Sequence, residues 1–168
     1  MSDTPFPYLQ PMPPKTKMEA NGTNTLQHEL LKVIEELKQT RAPEGAPPAV
    51  LKALDYIHHH LYDETLDATT VCIHCDLNNH NISSRFKYHV GVGMRRYIEM
   101  GRMEAAKRLL HHEHLSILQI AWSVGYTYPE SFARAFKRYT GQTASEYRKK
   151  VTRRIVKTVG QETESEHL

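Results

Sequence analysis

One spaced pattern of aromatic, basic and glycine residues occurs twice in the chain. Phe86-Lys87, Gly91 and Tyr97 recur as Phe136-Lys137, Gly141 and Tyr147, 50 residues further on. Self-similarity on that scale marks a supersecondary unit built twice. Two copies are too few for a solenoid. The pattern therefore predicts two similar elements side by side, presented to a partner that is itself repetitive.

Proline and charge show where the folded part lies. Eight of the nine prolines fall in residues 1–48, whereas residues 49–150 are almost free of proline and patterned as helices throughout. A chain of 168 residues fits one domain or two small ones. Residues 1–48 carry 5 Lys and Arg against 6 Asp and Glu, while the stretch from Arg85 to Lys157 carries 16 against 5, a local balance of +11. Such a region attracts a polyanion, and double-stranded DNA is the repetitive one. The same composition also suits a solvated helical face, or a protein-interaction module whose basic face binds an acidic partner. No stretch approaches the roughly 18 apolar residues that span a bilayer, and the N-terminus lacks the basic start and apolar core of a signal peptide. Two cysteines, Cys72 and Cys75, are too few for a disulfide framework. These features predict a cytoplasmic protein without membrane contact.

Periodicity divides the chain further. Residues 1–23 are polar and proline-rich and are expected to be disordered. Leu26, Leu30, Val33 and Leu37 then form the stripe of an amphipathic helix within 24–41, which either docks on the main domain or forms a weak homodimer through residues 26–37. Residues 42–48 read as a linker. Pro48 suits the first turn of a helix running to about Tyr62, with Val50, Leu54, Ile57 and Leu61 inward and His58-His59-His60 on the flanks. Asp67 caps the next helix, which carries Val71, Cys72 and Cys75 on one side. After a turn, Asn79 caps a helix through Ile82 and Phe86 that Gly91 stops. A long helix spans about Met94 to His111, with Gly101 as a weak point. Ser116 to Gln119 reads as a capping box, Gly125 as a stop, and Thr127 to Glu130 as a second capping box before Phe132 and Phe136. A final turn near Ala144 to Lys150 brings in Tyr147, and the charged tail, 151–168, should fray.

Helix, tight turn, helix is thus spelled out twice. A helix-turn-helix needs small residues where its helices cross, a tight backbone at the turn and an exposed N-terminal half on the second helix. Ala121, Gly125 and the positions Glu130, Ser131 and Arg134 meet those demands in the second copy. In the first, Cys72 and Cys75 take the small positions and Asp76 replaces glycine, as Asp tolerates left-handed backbone better than most residues. Cys72, His74 and Cys75 invite a zinc reading, with His80 nearby, but no second ligand pair follows at finger-like spacing, so no metal is expected. Trp122, Phe132 and Phe136 fall at core spacing rather than forming a stacking platform. With no phosphate loop, nucleophile elbow or Ser/His/Asp arrangement in view, neither a cofactor nor an enzymatic activity is expected.

Leu115-Ser-Ile-Leu-Gln-Ile-Ala-Trp-Ser-Val-Gly-Tyr126, followed by Ser131-Phe-Ala-Arg-Ala-Phe-Lys-Arg-Tyr-Thr-Gly141 and Ser145-Glu-Tyr-Arg148, resembles the second helix-turn-helix signature of the AraC/XylS family of bacterial transcription regulators. Arg102 to Leu110 is similar to that family's linker helix, and Leu66 to Tyr97, less closely, to its first helix-turn-helix. The resemblance covers about residues 49–150. It implies an all-α, homeodomain-like tandem of two helix-turn-helix subdomains joined by a long linker helix, reading successive major grooves of promoter or operator DNA, with RNA polymerase as a further partner. The family's base-facing positions fall on His80, Ser83, Ser84 and Lys87 in the first unit and on Pro129, Glu130, Ser131 and Arg134 in the second. Arg134 suits guanine O6 and N7. Arg85, Lys87, Arg95, Arg96, Lys137 and Arg138 suit phosphates. Ser84 stands where the family usually has arginine, and Arg85 where it has an apolar residue. Residues 1–48 are also too few for the sugar-binding barrel of many members, which leaves constitutive action, control by abundance or regulation through the N-terminal helix.

Overall fold

The computed structural model describes residues 20–40, 44–77 and 81–153, all helices and turns. Seven helices are α1 (Ala20–Thr40), α2 (Pro48–His60), α3 (Ala68–His74), α4 (Ile82–Val90), α5 (Met94–Leu109), α6 (Ile117–Ser123) and α7 (Pro129–Thr140). An eighth, α8, covers 144–153. The all-α expectation holds, with α3 and α4 as the first helix-turn-helix, α6 and α7 as the second, and α5 between them. The expected disorder of residues 1–19 and the fraying tail beyond 153 lie outside the described residues, whereas α4 takes Asn81 as its N-cap, without a side-chain cap bond, in place of the expected Asn79. Residues 20–23, expected to be disordered, belong to α1, which starts ahead of the expected residue 24.

Local chemistry sets most helix starts. Asp67 accepts from the Thr70 backbone N–H at 2.7 Å, and that bond holds its carboxyl below the usual carboxylate range. Ser116 and Gln119 close a full capping box. The box expected at Thr127 and Glu130 does not form. Tyr128 takes the N-cap position with Pro129 next, so Thr127 lies one residue too early, and its hydroxyl faces Glu64 instead. A box that went unread opens α8: the Glu146 carboxylate accepts from the Thr143 N–H at 2.8 Å, and the Thr143 hydroxyl accepts from the Glu146 N–H at 3.3 Å. In the first turn between helices, Asp76 adopts a φ of 55° in place of glycine, as expected.

Two cores share α5. Met94, Tyr97 and Ile98 complete the first with residues of α2, α3 and α4, and Met103, Ala106 and Leu109 complete the second with residues of α6 and α7. The duplicated pattern builds the same object in each core. Phe86 meets Tyr97 edge-on at 5.9 Å, and Phe136 meets Tyr147 edge-on at 5.6 Å. Gly91 and Gly141 end α4 and α7 with φ of 86° and 76°. The repeat is scaffold, and its two lysines, Lys87 and Lys137, are left at equivalent exposed positions.

The two units are tied together at both sides of α5. Arg102, buried within the basic stretch, donates from Nε to the Leu61 carbonyl at 2.9 Å and from Nη2 to the Asp63 carbonyl at 2.6 Å, binding the loop before α3. Its guanidinium also lies 5.6 Å from the Tyr126 ring centroid, beside the turn of the second unit. Gly125 in that turn is required twice over: φ is +85°, and a Cβ would sit 2.9 Å from the Tyr62 carbonyl. On the other side α1 docks, burying Leu26 and Val33, while the Tyr62 hydroxyl donates to the Leu30 carbonyl at 3.0 Å and Arg108 pairs with Glu36. Gly101, expected as a weak point, is a close-packing site: a Cβ there would meet Leu37 and Leu61 side chains at 3.0 Å.

His58 departs from expectation. It is buried rather than flanking, one residue beyond Ile57 on the side of α2 that faces α5, and a 2.7 Å hydrogen bond joins its Nε2 to the Tyr97 hydroxyl. Burial first, and then the charge of Lys38, pushes its pKa below the ordinary 6.5. The unfolded chain therefore takes up this proton more readily than the folded one. Stability from neutral His58 is complete above the ordinary value and is lost as pH falls through the lower folded value. Between about pH 7 and pH 5, Tm should fall further in the natural chain than in His58→Gln, as thermal melts at each pH would show.

Candidate nucleic-acid interface

Each second helix buries one stripe and offers the other to solvent. In α4, Ile82, Phe86 and Val90 point inward at four-residue spacing, leaving Ser83, Ser84, Arg85 and Lys87 exposed. In α7, Phe132, Ala135 and Phe136 are buried, with Glu130, Arg134, Lys137 and Arg138 exposed and Pro129 and Ser131 half-buried. His80 lies outside the described residues. Arg85 occupies the position equivalent to buried Ala135, yet is itself exposed, so the first unit accommodates the charge without burying it.

Two adjoining depressions, one reached from α4 and the other from α7, make up a cleft along α5. Ser83, Ala68, Gly93, Arg95, Arg96 and Glu99 line one end of it. Arg95, Glu99, Ser131, Arg134 and Arg138 line the other, together with Asp67 and Ala68. Ala68, Arg95 and Glu99 serve both ends, so α5 and the start of α3 bridge the two second helices. Pro129, Glu130, Ser84, Lys87 and Lys137 do not line the cleft. Glu130 instead sits in the first turn of α7, where a carboxylate favours the helix dipole.

Arg134 Nη2 lies 3.4 Å from the Ser131 hydroxyl, longer than a good hydrogen bond, so the guanidinium fork is lightly held and accessible. The six phosphate candidates divide into two groups. Arg96 and Arg138 both pair with Glu99, the former at 3.5 Å. For Arg85, Lys87, Arg95 and Lys137 the described residues provide no ion pair. Glu99 is the site residue that the sequence reading missed; its signal is a lone acidic position three residues after Arg96, amid a strongly basic stretch.

Of the zinc-like set, Cys75 is buried with its thiol 3.7 Å from the Lys52 carbonyl, and burial pushes that thiol's pKa up. His74 stacks on Tyr56 at 5.3 Å. Among the described residues no three His, Cys, Asp or Glu side chains gather as a metal set. Nor is any described helix long and apolar enough to cross a membrane.

This architecture, two helix-turn-helix units on a shared helix with a cleft between their second helices, defines a tandem helix-turn-helix domain. Residues 71–150 match the family model described as a helix-turn-helix domain. The chain is 30% identical over 130 residues to the arabinose operon regulatory protein of Escherichia coli K12, a match covering 77% of this chain and 44% of that protein. It resembles the C-terminal domain of AraT, a response regulator from Geobacillus stearothermophilus, with a TM-score of 0.60, 29% identity and coverage of 64% of this chain and 88% of that one. The DNA-binding domain of AdpA, solved with a target DNA, shares the fold at 20% identity with a TM-score of 0.58, covering 64% of this chain and 96% of that one. The helix-turn-helix region of this chain is a domain of the AraC/XylS family. The chain spans less than half the length of the curated relatives it matches.

Proposed function

We propose that this protein is a sequence-specific, double-stranded DNA-binding transcription regulator whose helices α4 and α7 enter successive major grooves. The cleft along α5 carries the reading: Ser83 of one second helix, and Ser131 and Arg134 of the other, open onto the same connecting helix. Major-groove segments on one face of a duplex recur every ~34 Å, which suits two units held rigidly by one helix. Arg134 is the principal base reader with Glu130 and Ser131 at its flanks, Ser83 and Ser84 face bases in the other groove, and exposed Lys87, Lys137, Arg85 and Arg95 hold phosphates. His80 and Pro129 belong to the same set by position. A monomer suffices, because the stripe of residues 26–37 is already spent on α5; RNA polymerase is the natural second partner at a promoter.

Binding to a duplex should weaken linearly in log K against log salt, and Lys137→Ala should flatten the slope by roughly 0.9, the contribution of one phosphate contact. Fluorescence anisotropy across about 50–200 mM salt measures it. Equal affinity for an acidic protein surface and for DNA, with no preference among DNA sequences, would favour the protein-interaction reading instead.

A further inference from the structure

Glu99 is the acidic residue that α5 places among the cations of the cleft, which Asp67 also lines. It lies on α5, its side chain is 15% exposed, and it is shared by both ends of the cleft. Two of the six phosphate candidates converge on it from different directions. Arg96 reaches it from one turn earlier on α5, and Arg138 reaches it across from the last turn of α7. Arg96 is further held with its guanidinium 5.3 Å from the Tyr139 ring centroid. Arg138 remains 62% exposed while paired, so it faces solvent and Glu99 together.

We propose that Glu99 is a specificity-determining residue that competes with phosphate for Arg96 and Arg138. This rests on the DNA-binding reading above. In the free protein the two cations are neutralised in part by one carboxylate, so a phosphate backbone of any sequence meets fewer available charges and has to displace an existing ion pair to recruit them. Non-specific binding, which comes almost entirely from phosphate neutralisation, is weakened. A cognate site offsets the displacement through base contacts from Arg134 and its neighbours, which random DNA does not supply. Glu99 also presents a like charge to any phosphate entering the cleft, which acts in the same direction. Lys87, Lys137, Arg85 and Arg95, free of ion pairs among the described residues, remain the cations that hold any duplex.

The test compares the full chain with E99Q on two duplexes of equal length, one enriched by selection with the natural protein and one random, over a salt series. With random DNA, E99Q should bind more tightly, and its slope of log K against log salt should be steeper by roughly 1–2, one or two further phosphate contacts. The ratio of selected to random affinity should shrink. In a second comparison, R138Q in the natural background should flatten the slope less than K137Q, because Arg138 is already engaged; in the E99Q background the two should flatten it alike. If E99Q leaves the random-DNA slope unchanged, or weakens both duplexes equally, Glu99 merely positions its arginines and the proposal is overturned. R138Q and K137Q acting equally in the natural background would overturn it too, without relying on E99Q folding. If the natural chain binds neither duplex in a salt-dependent way, the DNA-binding reading has itself failed, and this inference falls with it.

Discussion

Phe136→Ala is expected to destabilise the protein by about 3–5 kcal/mol. Phe136 is fully buried, 5.6 Å from Phe132 on its own helix and 5.6 Å edge-on from Tyr147 on α8. Truncation removes the transfer free energy of the ring and leaves a cavity between two helices that are held apart by other contacts, so collapse is limited. It also forfeits an aromatic pair worth about 0.5–1.5 kcal/mol beyond area burial. Domains of this size have only about 5–15 kcal/mol in total, so a large share of the stability is at stake. Denaturant unfolding should show the midpoint shifted with little change in slope. A loss below about 1 kcal/mol would mean that the second core repacks, and that the repeated aromatic pair is not what holds it.

Arg134→Ala should leave stability within about 0.5 kcal/mol, because the side chain is exposed and lightly held, yet should remove the main base contact. A bidentate arginine on guanine supplies roughly 1–3 kcal/mol of discrimination, about 5-fold to 150-fold in affinity for the selected site. Random DNA should lose only the effect of one exposed charge. Competition binding with both duplexes separates the two terms. Equal losses on both would make Arg134 a phosphate contact and shift readout to Ser131, Glu130 or the first unit.

Much of this was legible in the chain, for identifiable reasons. The stop glycines, the Asp67 and Ser116 caps and the stripes of α4 and α7 are local features, fixed within one or two helical turns, and they appear where the sequence places them. What could not be read depends on residues distant in sequence. Arg102 looks like one more surface cation until its position is noted, four residues after buried Ile98 and three before buried Ala105; only the carbonyls of Leu61, Asp63 and Leu66 account for a guanidinium in that stripe. Gly101 looks like a flaw in α5 because the packing of Leu37 against it joins residues far apart in sequence. His58 looks like a flank residue without Tyr97 as its partner. The capping box assigned to Thr127 instead of Thr143 shows a different limit: two matching tetrapeptides differ only in which residue the chain turns on, and Pro129 moves the first helix start by one. In the site, the exposed candidates follow from helical phase, whereas Glu99's hold on two arginines needed the approach of α7 to α5.

If two unequal units joined by α5 read one duplex, the DNA that the purified full chain selects from a randomised pool should reveal it on sequencing. One enriched site is expected, with two conserved segments about 10 base pairs apart, the segment lost with Arg134→Ala being the more strongly conserved. Enrichment of no sequence, or of a single segment that Arg134→Ala leaves unchanged, would contradict it.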